Sequence, residues 1–325
     1  ADHGPGVPQA ERDKVLRRLG AFAVWPAQQV GEALEEPIFL APRREPSLAP
    51  LLARRLNRPD SPPLIRTTLD AGLPLRLEDL LLGWRARLPE RTSAAILVVE
   101  HPGMAVRAYL GSVDVGDDAR FGHVDMVRAL RSPGSTLKPF LYGLALDAGL
   151  IHSESLLQDV PRHYGDYRPG NFAAGFSGAV AASEALATSL NLPAVQLLEA
   201  YGPRRFAGEL RAAGLPIHLP ALAEPSLALI LGGGGTRLES LVAGYSAFAR
   251  GGLAACPRLR PEEALRERRL LSPGAAWIVR RILAGQARPE GESQGGTDPR
   301  SSLAWKTGTS YGFRDAWALG VGPRH

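Results

Sequence analysis

The sequence predicts an α+β fold in which helices flank a central antiparallel sheet built from distant parts of the chain. Two observations carry this prediction. Strand-like runs lie towards both ends of the chain, at residues 94–99, 105–111, 302–309 and 316–321, and the first of them is a continuous apolar run rich in β-branched residues. Residues 137–283 between them repeat apolar side chains at helical spacing. Strands on both sides of a helical centre favour one sheet made from remote segments over repeated βαβ units.

The part of the chain before Ser93 is predicted to be mainly linker with short helices. Ten of the 28 prolines lie in the first 63 residues. Helical patterns cover residues 9–19 and 26–35, whereas residues 42–63 are too rich in Pro and Arg for a domain core. Residues 75–88 carry leucines at helical spacing and predict an amphipathic helix. The compact domain is therefore expected to begin near Ser93, with a hairpin as its first element.

The composition excludes several classes of protein. With 45% hydrophobic and 22% charged residues, the chain is an ordinary globular one. The net charge of +5 is modest and the Arg pairs are dispersed, which argues against nucleic acid as a partner. The single cysteine, Cys256, rules out an internal disulfide, and the scattered histidines predict no metal and no cofactor. No apolar run is long enough for a membrane span, so any anchor is expected outside this sequence.

Lysine is conspicuously rare. Only three of the 38 basic residues are Lys, at positions 14, 138 and 306. A position that keeps Lys where Arg is the default favours a role for an ammonium that can lose its proton, because a guanidinium cannot do so in proteins. Lys138 and Lys306 therefore become candidate functional residues.

The first motif is Ser-x-x-Lys, formed by Ser135 and Lys138. Pro139 is tolerated only in the first turn of a helix, so the helix that follows must begin close to Ser135. Ser135 would lie at the positive end of this helix, with Lys138 one turn later on the same face. A Lys of lowered pKa could then take the hydroxyl proton and make Ser135 a nucleophile. The alternative is a simple N-cap beside a solvated lysine.

Two further motifs are weaker when taken alone. Ser189 and Asn191 flank an apolar residue in a Ser-x-Asn pattern, which suits a loop that presents two polar groups, although a helix C-cap is the commoner use. Lys306, Thr307 and Gly308 form Lys-Thr-Gly on a predicted strand. Alternation places Lys306 and Gly308 on one face of that strand, and a Gly allows close approach of a ligand or another backbone. The alternative for Lys306 is an edge-strand lysine that deters aggregation.

In this order the three motifs resemble those of penicillin-binding proteins and β-lactamases. The segments RSPGSTLKPFLY (131–142), YRPGNF (167–172), SLNLPAV (189–195) and KTGTSYGFRDAWALGV (306–321) look like the transpeptidase domain of class A penicillin-binding proteins, with the 1C subgroup as the best match. The resemblance covers most of residues 10–325.

The resemblance implies a serine β-lactamase/transpeptidase-like fold with a helical subdomain, and the activity of a peptidoglycan D,D-transpeptidase. Ser135 would attack the D-Ala-D-Ala amide of a stem peptide. Lys138 would be the general base, and Ser189 would relay the proton to the leaving group. Backbone amides of Ser135 and Thr309 would form the oxyanion hole.

The remaining motif residues would bind substrate. Asn191, Thr307 and Thr309 would hold the peptide beside Gly308, and Lys306 would bind its carboxylate. The implied partners are stem peptides, β-lactams and other cell-wall synthesis proteins, in a periplasmic protein anchored to the inner membrane through a segment outside this sequence.

The resemblance also divides the chain. Residues 1–40 look like the tail of a glycosyltransferase domain, residues 41–92 like a Pro/Arg-rich linker region, and residues 93–325 like a transpeptidase domain that is truncated at its C-terminus. Glycan polymerisation is not expected, because the catalytic part of the glycosyltransferase is missing. Two alternatives stay open at this stage. One is a D,D-carboxypeptidase or β-lactamase that transfers the acyl group to water, and the other is a non-catalytic penicillin-binding module.

Overall fold

A computed structural model describes residues 7–36, 48–165, 168–171, 175–286 and 303–325. Helices and short antiparallel strands together confirm the predicted α+β class. The helices are α1 (Val7–Ala21), α2 (Ala27–Glu35), α3 (Pro50–Leu56), α4 (Leu73–Arg85), α5 (Lys138–Asp147), α6 (Ala182–Ala187), α7 (Asn191–Tyr201), α8 (Pro203–Ala212), α9 (Leu238–Ala249) and α10 (Pro273–Ala284). The strands are β1 (Ile96–Glu100), β2 (Ala105–Leu110), β3 (Leu156–Asp159), β4 (Gly178–Ala181), β5 (Leu253–Ala255), β6 (Glu267–Arg269), β7 (Ala304–Thr309) and β8 (Ala316–Val321).

The chain divides into two compact units, Ala1–Ser47 and Leu48–His325. The first contains α1 and α2, where the sequence predicts its two short helices. The second begins well before the predicted start near Ser93, because α3 belongs to it. Leu52 of α3 is buried in one apolar cluster with Val106 and Tyr109 of β2. The sequence did not predict this short helix, because the Pro and Arg residues around it suggested a linker.

The predicted strand pairs at the two ends of the second unit are both present as antiparallel hairpins. β1 pairs with β2, and β7 pairs with β8. The expected single sheet is not formed by the described strands, which make four separate two-stranded ladders. The hairpins approach each other where His101 N donates to Arg324 O (3.0 Å). An apolar cavity of about 460 Å³ is lined by residues of β1, β8 and α9.

Helix α5 is the axis of the helical core. Its residues from Lys138 to Ala145 are all buried, as expected for a helix that is packed on every side. Phe140 stacks on Phe248 and meets Tyr245 edge-on, with ring centroids 5.4 and 5.1 Å apart. Neighbouring helices thus pack around α5, and its first residue is one of the two candidate lysines. No helix in the described ranges is long and apolar enough to cross a bilayer.

Candidate active site

Ser135 lies at the start of the central helix, as the position of Pro139 predicts. A 3-10 turn, Gly134–Leu137, runs directly into α5, and the amide of Lys138 donates to Ser135 O. Ser135 is half-buried, and its hydroxyl has no hydrogen-bond partner among the described residues. The turn therefore presents a free hydroxyl at the positive end of a buried helix.

Lys138 is fully buried, and its ammonium points at the loop between α6 and α7. Nζ donates to Ser189 O (2.6 Å), Leu190 O (3.0 Å) and Asn191 Oδ1 (2.7 Å). Three acceptors account for the three protons of an ammonium. The sequence predicts Lys138 within hydrogen-bond reach of Ser135. The structure contains no hydrogen bond between these two side chains, because the amine of Lys138 donates to the three oxygens of the loop instead.

Burial controls the charge of both candidate lysines. Burial, with a smaller contribution from the positive charge of Lys306, lowers the pKa of Lys138 well below its ordinary value of 10.5. Burial alone lowers the pKa of Lys306 to about 8. Desolvation disfavours an ammonium over a neutral amine. Each lysine can therefore lose a proton far more easily than a lysine in water.

The Ser189–Asn191 loop is both a helix cap and part of this cluster. Helix α6 ends in a Schellman motif, in which Ser189 N donates to Leu186 O (3.1 Å) and Leu190 N to Ala185 O (2.9 Å). Ser189 occupies the left-handed position of that motif with φ 62°, where Gly is the usual residue. The cap turns the chain so that the polar groups on both sides of Leu190 reach Lys138.

Lys306 joins the same loop from the opposite side. The burial of β7 alternates as predicted, with Lys306 and Gly308 buried and Thr307 and Thr309 exposed. Lys306 Nζ donates to Ser189 Oγ (2.8 Å) and to Thr307 O (2.9 Å). Ser189 Oγ is also 3.4 Å from Lys138 Nζ, so one hydroxyl lies between the two amines.

Two glycines bring β7 against the Ser135 turn. A Cβ at Gly308 would lie 2.6 Å from Pro133 O and 2.6 Å from Thr136 Cγ2. A Cβ at Gly134, where φ is +52°, would lie 2.5 Å from Thr309 O. The sequence predicts that Gly308 allows close contact with another backbone. In the structure that backbone is the turn that carries Ser135. Neither position has space for a larger residue.

Sequence reasoning missed the residue that supports Asn191 from behind. Asp159 is fully buried at the end of β3, and it accepts from Asn171 Nδ2 (2.8 Å). Asn171 Oδ1 in turn accepts from Asn191 N (3.0 Å). The rarity of Asn points to Asn171, because the sequence contains only three Asn residues, Asn57, Asn171 and Asn191. Tyr167 and Phe172, at the ends of the matching segment, lie outside the described residues.

The positive φ of Ser189 is expected to lower the free energy of unfolding relative to glycine at the same position. We expect Ser189→Gly to unfold with a free energy about 1 kcal/mol higher than Ser189→Ala, because both lack the hydroxyl while only Gly adopts a positive φ without strain. Urea unfolding followed by circular dichroism measures the difference. Equal stabilities of the two variants would contradict the strain at this position.

These groups can perform acyl transfer through a serine ester. They combine a free hydroxyl at a helix N-terminus with a buried amine of lowered pKa and a second hydroxyl between two amines. No group of three or more His, Cys, Asp or Glu side chains within the described ranges could hold a metal ion. The described side chains at the site can supply a nucleophile, a base and a proton relay.

Comparison with known proteins points to the same chemistry. The family of penicillin binding protein transpeptidase domains matches residues 114–219. Penicillin-binding protein 1C of Escherichia coli (strain K12) is 59% identical over 325 residues, which is 100% of this chain and 42% of that protein. Penicillin-binding protein 1A of Neisseria gonorrhoeae is 29% identical over 243 residues, covering 67% of this chain and 29% of that protein. The chain thus spans less than half the length of either relative.

The fold is also that of a solved structure. The PonA1 protein from Mycobacterium tuberculosis, in complex with penicillin V, superimposes with a TM-score of 0.64 at 21% identity. The match covers 80% of this chain and 74% of that one. At this level of identity the likeness concerns the fold alone.

Proposed function

The chain belongs to the penicillin-binding protein transpeptidase family, and we propose that it is a serine D,D-transpeptidase that cross-links peptidoglycan stem peptides and is inhibited by β-lactams. The observation that carries the proposal is that Ser135 lies one turn before the buried Lys138, whose amine shares the Ser189 hydroxyl with Lys306. The pKa values of both lysines are lowered. Such an arrangement suits a serine that must be activated without histidine.

In the proposed reaction, Ser135 Oγ attacks the carbonyl carbon of the D-Ala-D-Ala amide. The hydroxyl proton passes to Lys138, which must be neutral at that moment and so donates only two hydrogen bonds to its three acceptors. When the C–N bond breaks, the proton reaches the leaving amine through Ser189, which lies between Lys138 and Lys306. An amine on a second stem peptide then attacks the ester, forms the cross-link and returns the proton to Ser135.

The other motif residues orient the substrate. Lys306 binds the terminal carboxylate of the peptide, and Asn191, Thr307 and Thr309 bind its backbone. The buried position of Gly308 keeps these groups next to the nucleophile. Backbone amides of Ser135 and Thr309 bind the oxyanion, a role supported by the contact of Thr309 with Gly134.

The location and wider organisation of the protein follow from this activity. Peptidoglycan lies outside the cytoplasmic membrane, so the reaction would be periplasmic, among other cell-wall synthesis proteins. We infer that residues 93–325 contain the catalytic machinery. Residues 1–40 would be the end of a glycosyltransferase domain and residues 41–92 the connection, although α3 already packs with the catalytic part.

Labelling with a fluorescent penicillin tests the proposal. The purified chain should form a stable 1:1 adduct, and peptide mapping by mass spectrometry should place it on Ser135. Ser135→Ala should take up no label. The proposal fails if the folded wild-type chain remains unlabelled, as a non-catalytic module would. Rapid turnover of a chromogenic cephalosporin would instead identify a hydrolase.

A further inference from the structure

The buried carboxylate of Asp159 is connected to the candidate site through two amide side chains. Oδ1 of Asp159 accepts from Asn171 Nδ2 (2.8 Å), and Oδ2 accepts from Ser177 N (2.7 Å). Both carboxylate oxygens are thus occupied by donors, and the residue is completely buried. A buried carboxylate that is fully hydrogen-bonded fixes the groups around it, because a mismatched partner would be costly.

The carboxylate of Asp159 determines which way Asn171 faces. Both of its oxygens act as acceptors, so the NH₂ group of Asn171 must face it and the carbonyl oxygen must face away. That oxygen accepts from the backbone N–H of Asn191 (3.0 Å). Asn191 is the first residue of α7, and its N–H has no acceptor within the helix. Asn171 therefore caps α7 from another part of the chain.

The same segment orients the Asn191 side chain. Asn191 Nδ2 donates to Gly170 O (2.7 Å), which leaves Asn191 Oδ1 to accept from Lys138 Nζ (2.7 Å). Gly170 and Asn171 are consecutive, so holding Asn171 also holds the carbonyl that Asn191 needs. The directions of these hydrogen bonds are consistent from the carboxylate to the ammonium.

We propose that Asp159 is a positioning residue for acylation, which acts through Asn171 and Asn191 on the placement of the Lys138 amine. The inference rests on the proposed function, since it concerns the efficiency of that reaction. Asp159 contributes by fixing the direction of two amides whose opposite orientation would turn an NH₂ group towards the amine that has to take the serine proton.

Replacement of the carboxylate by an amide creates a conflict that the chain cannot remove locally. In Asp159→Asn, one of the two former carboxylate oxygens becomes an NH₂ group facing either Ser177 N–H or the NH₂ of Asn171. A flip of Asn171 relieves the second clash but then points its NH₂ group at Asn191 N–H. The donor–donor conflict is thus transferred to the residue that contacts Lys138.

The experiment separates the rate of penicillin acylation from the affinity of the preceding complex. In Asp159→Asn we expect the acylation rate constant to fall roughly 10- to 100-fold, as for a misplaced catalytic group, with the dissociation constant changed less than about threefold. Asn171→Ala removes the side chain that links Asp159 to Asn191 without placing two donors against each other, and it should show the same loss. This variant replaces Asp159→Asn in the experiment if Asp159→Asn does not fold. In a protein that already carries Asn191→Ala, adding Asp159→Asn should lower the acylation rate constant no further.

Asp125→Asn is the matched control. Asp125 likewise accepts from one side chain and one backbone amide, Tyr109 OH (2.6 Å) and Val127 N (3.1 Å), but neither of these two partners belongs to the site. Its acylation rate should equal that of the wild type. Wild-type acylation by Asp159→Asn, or equal losses with and without the Asn191 side chain, would overturn the inference. Failure of the wild-type chain to acylate would instead overturn the proposed function.

Discussion

Lys138→Arg is expected to slow acylation of Ser135 by a β-lactam at least about 1,000-fold, although the positive charge is kept. A guanidinium stays protonated in proteins and cannot accept the serine proton. General-base catalysis typically contributes about 10²–10⁴ to a rate. Stopped-flow or quenched labelling with a fluorescent penicillin measures the loss. Acylation within tenfold of the wild-type rate would show that Lys138 supplies only charge.

Size is the competing explanation for such a loss, because Lys138 is fully buried and Arg is larger. The chain offers a matched control in Lys306→Arg, which makes the same substitution at the other buried lysine of the site. A carboxylate-binding role tolerates a guanidinium, so this variant should lose no more than about tenfold in rate. Lys138→Met, which is close in size to Lys and carries no charge, should be as inactive as Lys138→Arg while remaining folded by circular dichroism.

The pH dependence provides a second measurement of the same assignment. The active form of Lys138 is the neutral amine, so acylation is present above its pKa and is lost as the pH falls through it. Because burial lowers that pKa from 10.5, the rising part of the rate profile should lie well below the value for a free lysine. Lys306, whose burial lowers its pKa to about 8, also titrates below the value for a free lysine. The profile is therefore best measured in Lys306→Arg, where the neighbouring charge is fixed.

The parts of the site that were predictable from sequence are those encoded by local rules. Pro139 limits where a helix can begin, and this places Ser135 in the turn that leads directly into α5. Strand alternation places Lys306 and Gly308 on the buried face of β7. The near absence of Lys from the chain singled out Lys138 before any contact was known. Each of these inferences needs only residues within a few positions of one another.

The parts that were not predictable depend on contacts between remote segments. Nothing near Asp159 in the sequence indicates that its carboxylate holds Asn171, or that Asn171 caps the helix beginning at Asn191. The direction of the Lys138 ammonium likewise depends on carbonyls about 50 residues away in the chain. The division of the expected sheet into separate hairpins has the same origin, because strand order depends on the packing of distant segments.

Gly308→Ala is expected to reduce acylation at least about 100-fold without touching a group that performs chemistry. The new Cβ would lie 2.6 Å from Pro133 O, which is backbone and cannot move aside as a side chain can. Strand β7 would have to shift away from the Ser135 turn and would carry Lys306 and Thr309 with it. A displacement approaching 1 Å in a catalytic site costs on the order of 10² in rate, whereas the overpacking itself costs about 1–3 kcal/mol of folding free energy.

Gly320→Ala separates this geometric effect from a general sensitivity of the hairpin. Gly320 lies on β8 opposite Trp305, and a Cβ there would first meet the end of the Leu303 side chain at 3.2 Å. That side chain can rotate, so acylation should stay within about threefold of wild type. If both variants lose activity equally, the hairpin is simply intolerant of added methyl groups. A selective loss in Gly308→Ala means that the contact between β7 and the Ser135 turn keeps nucleophile and substrate-binding strand in register.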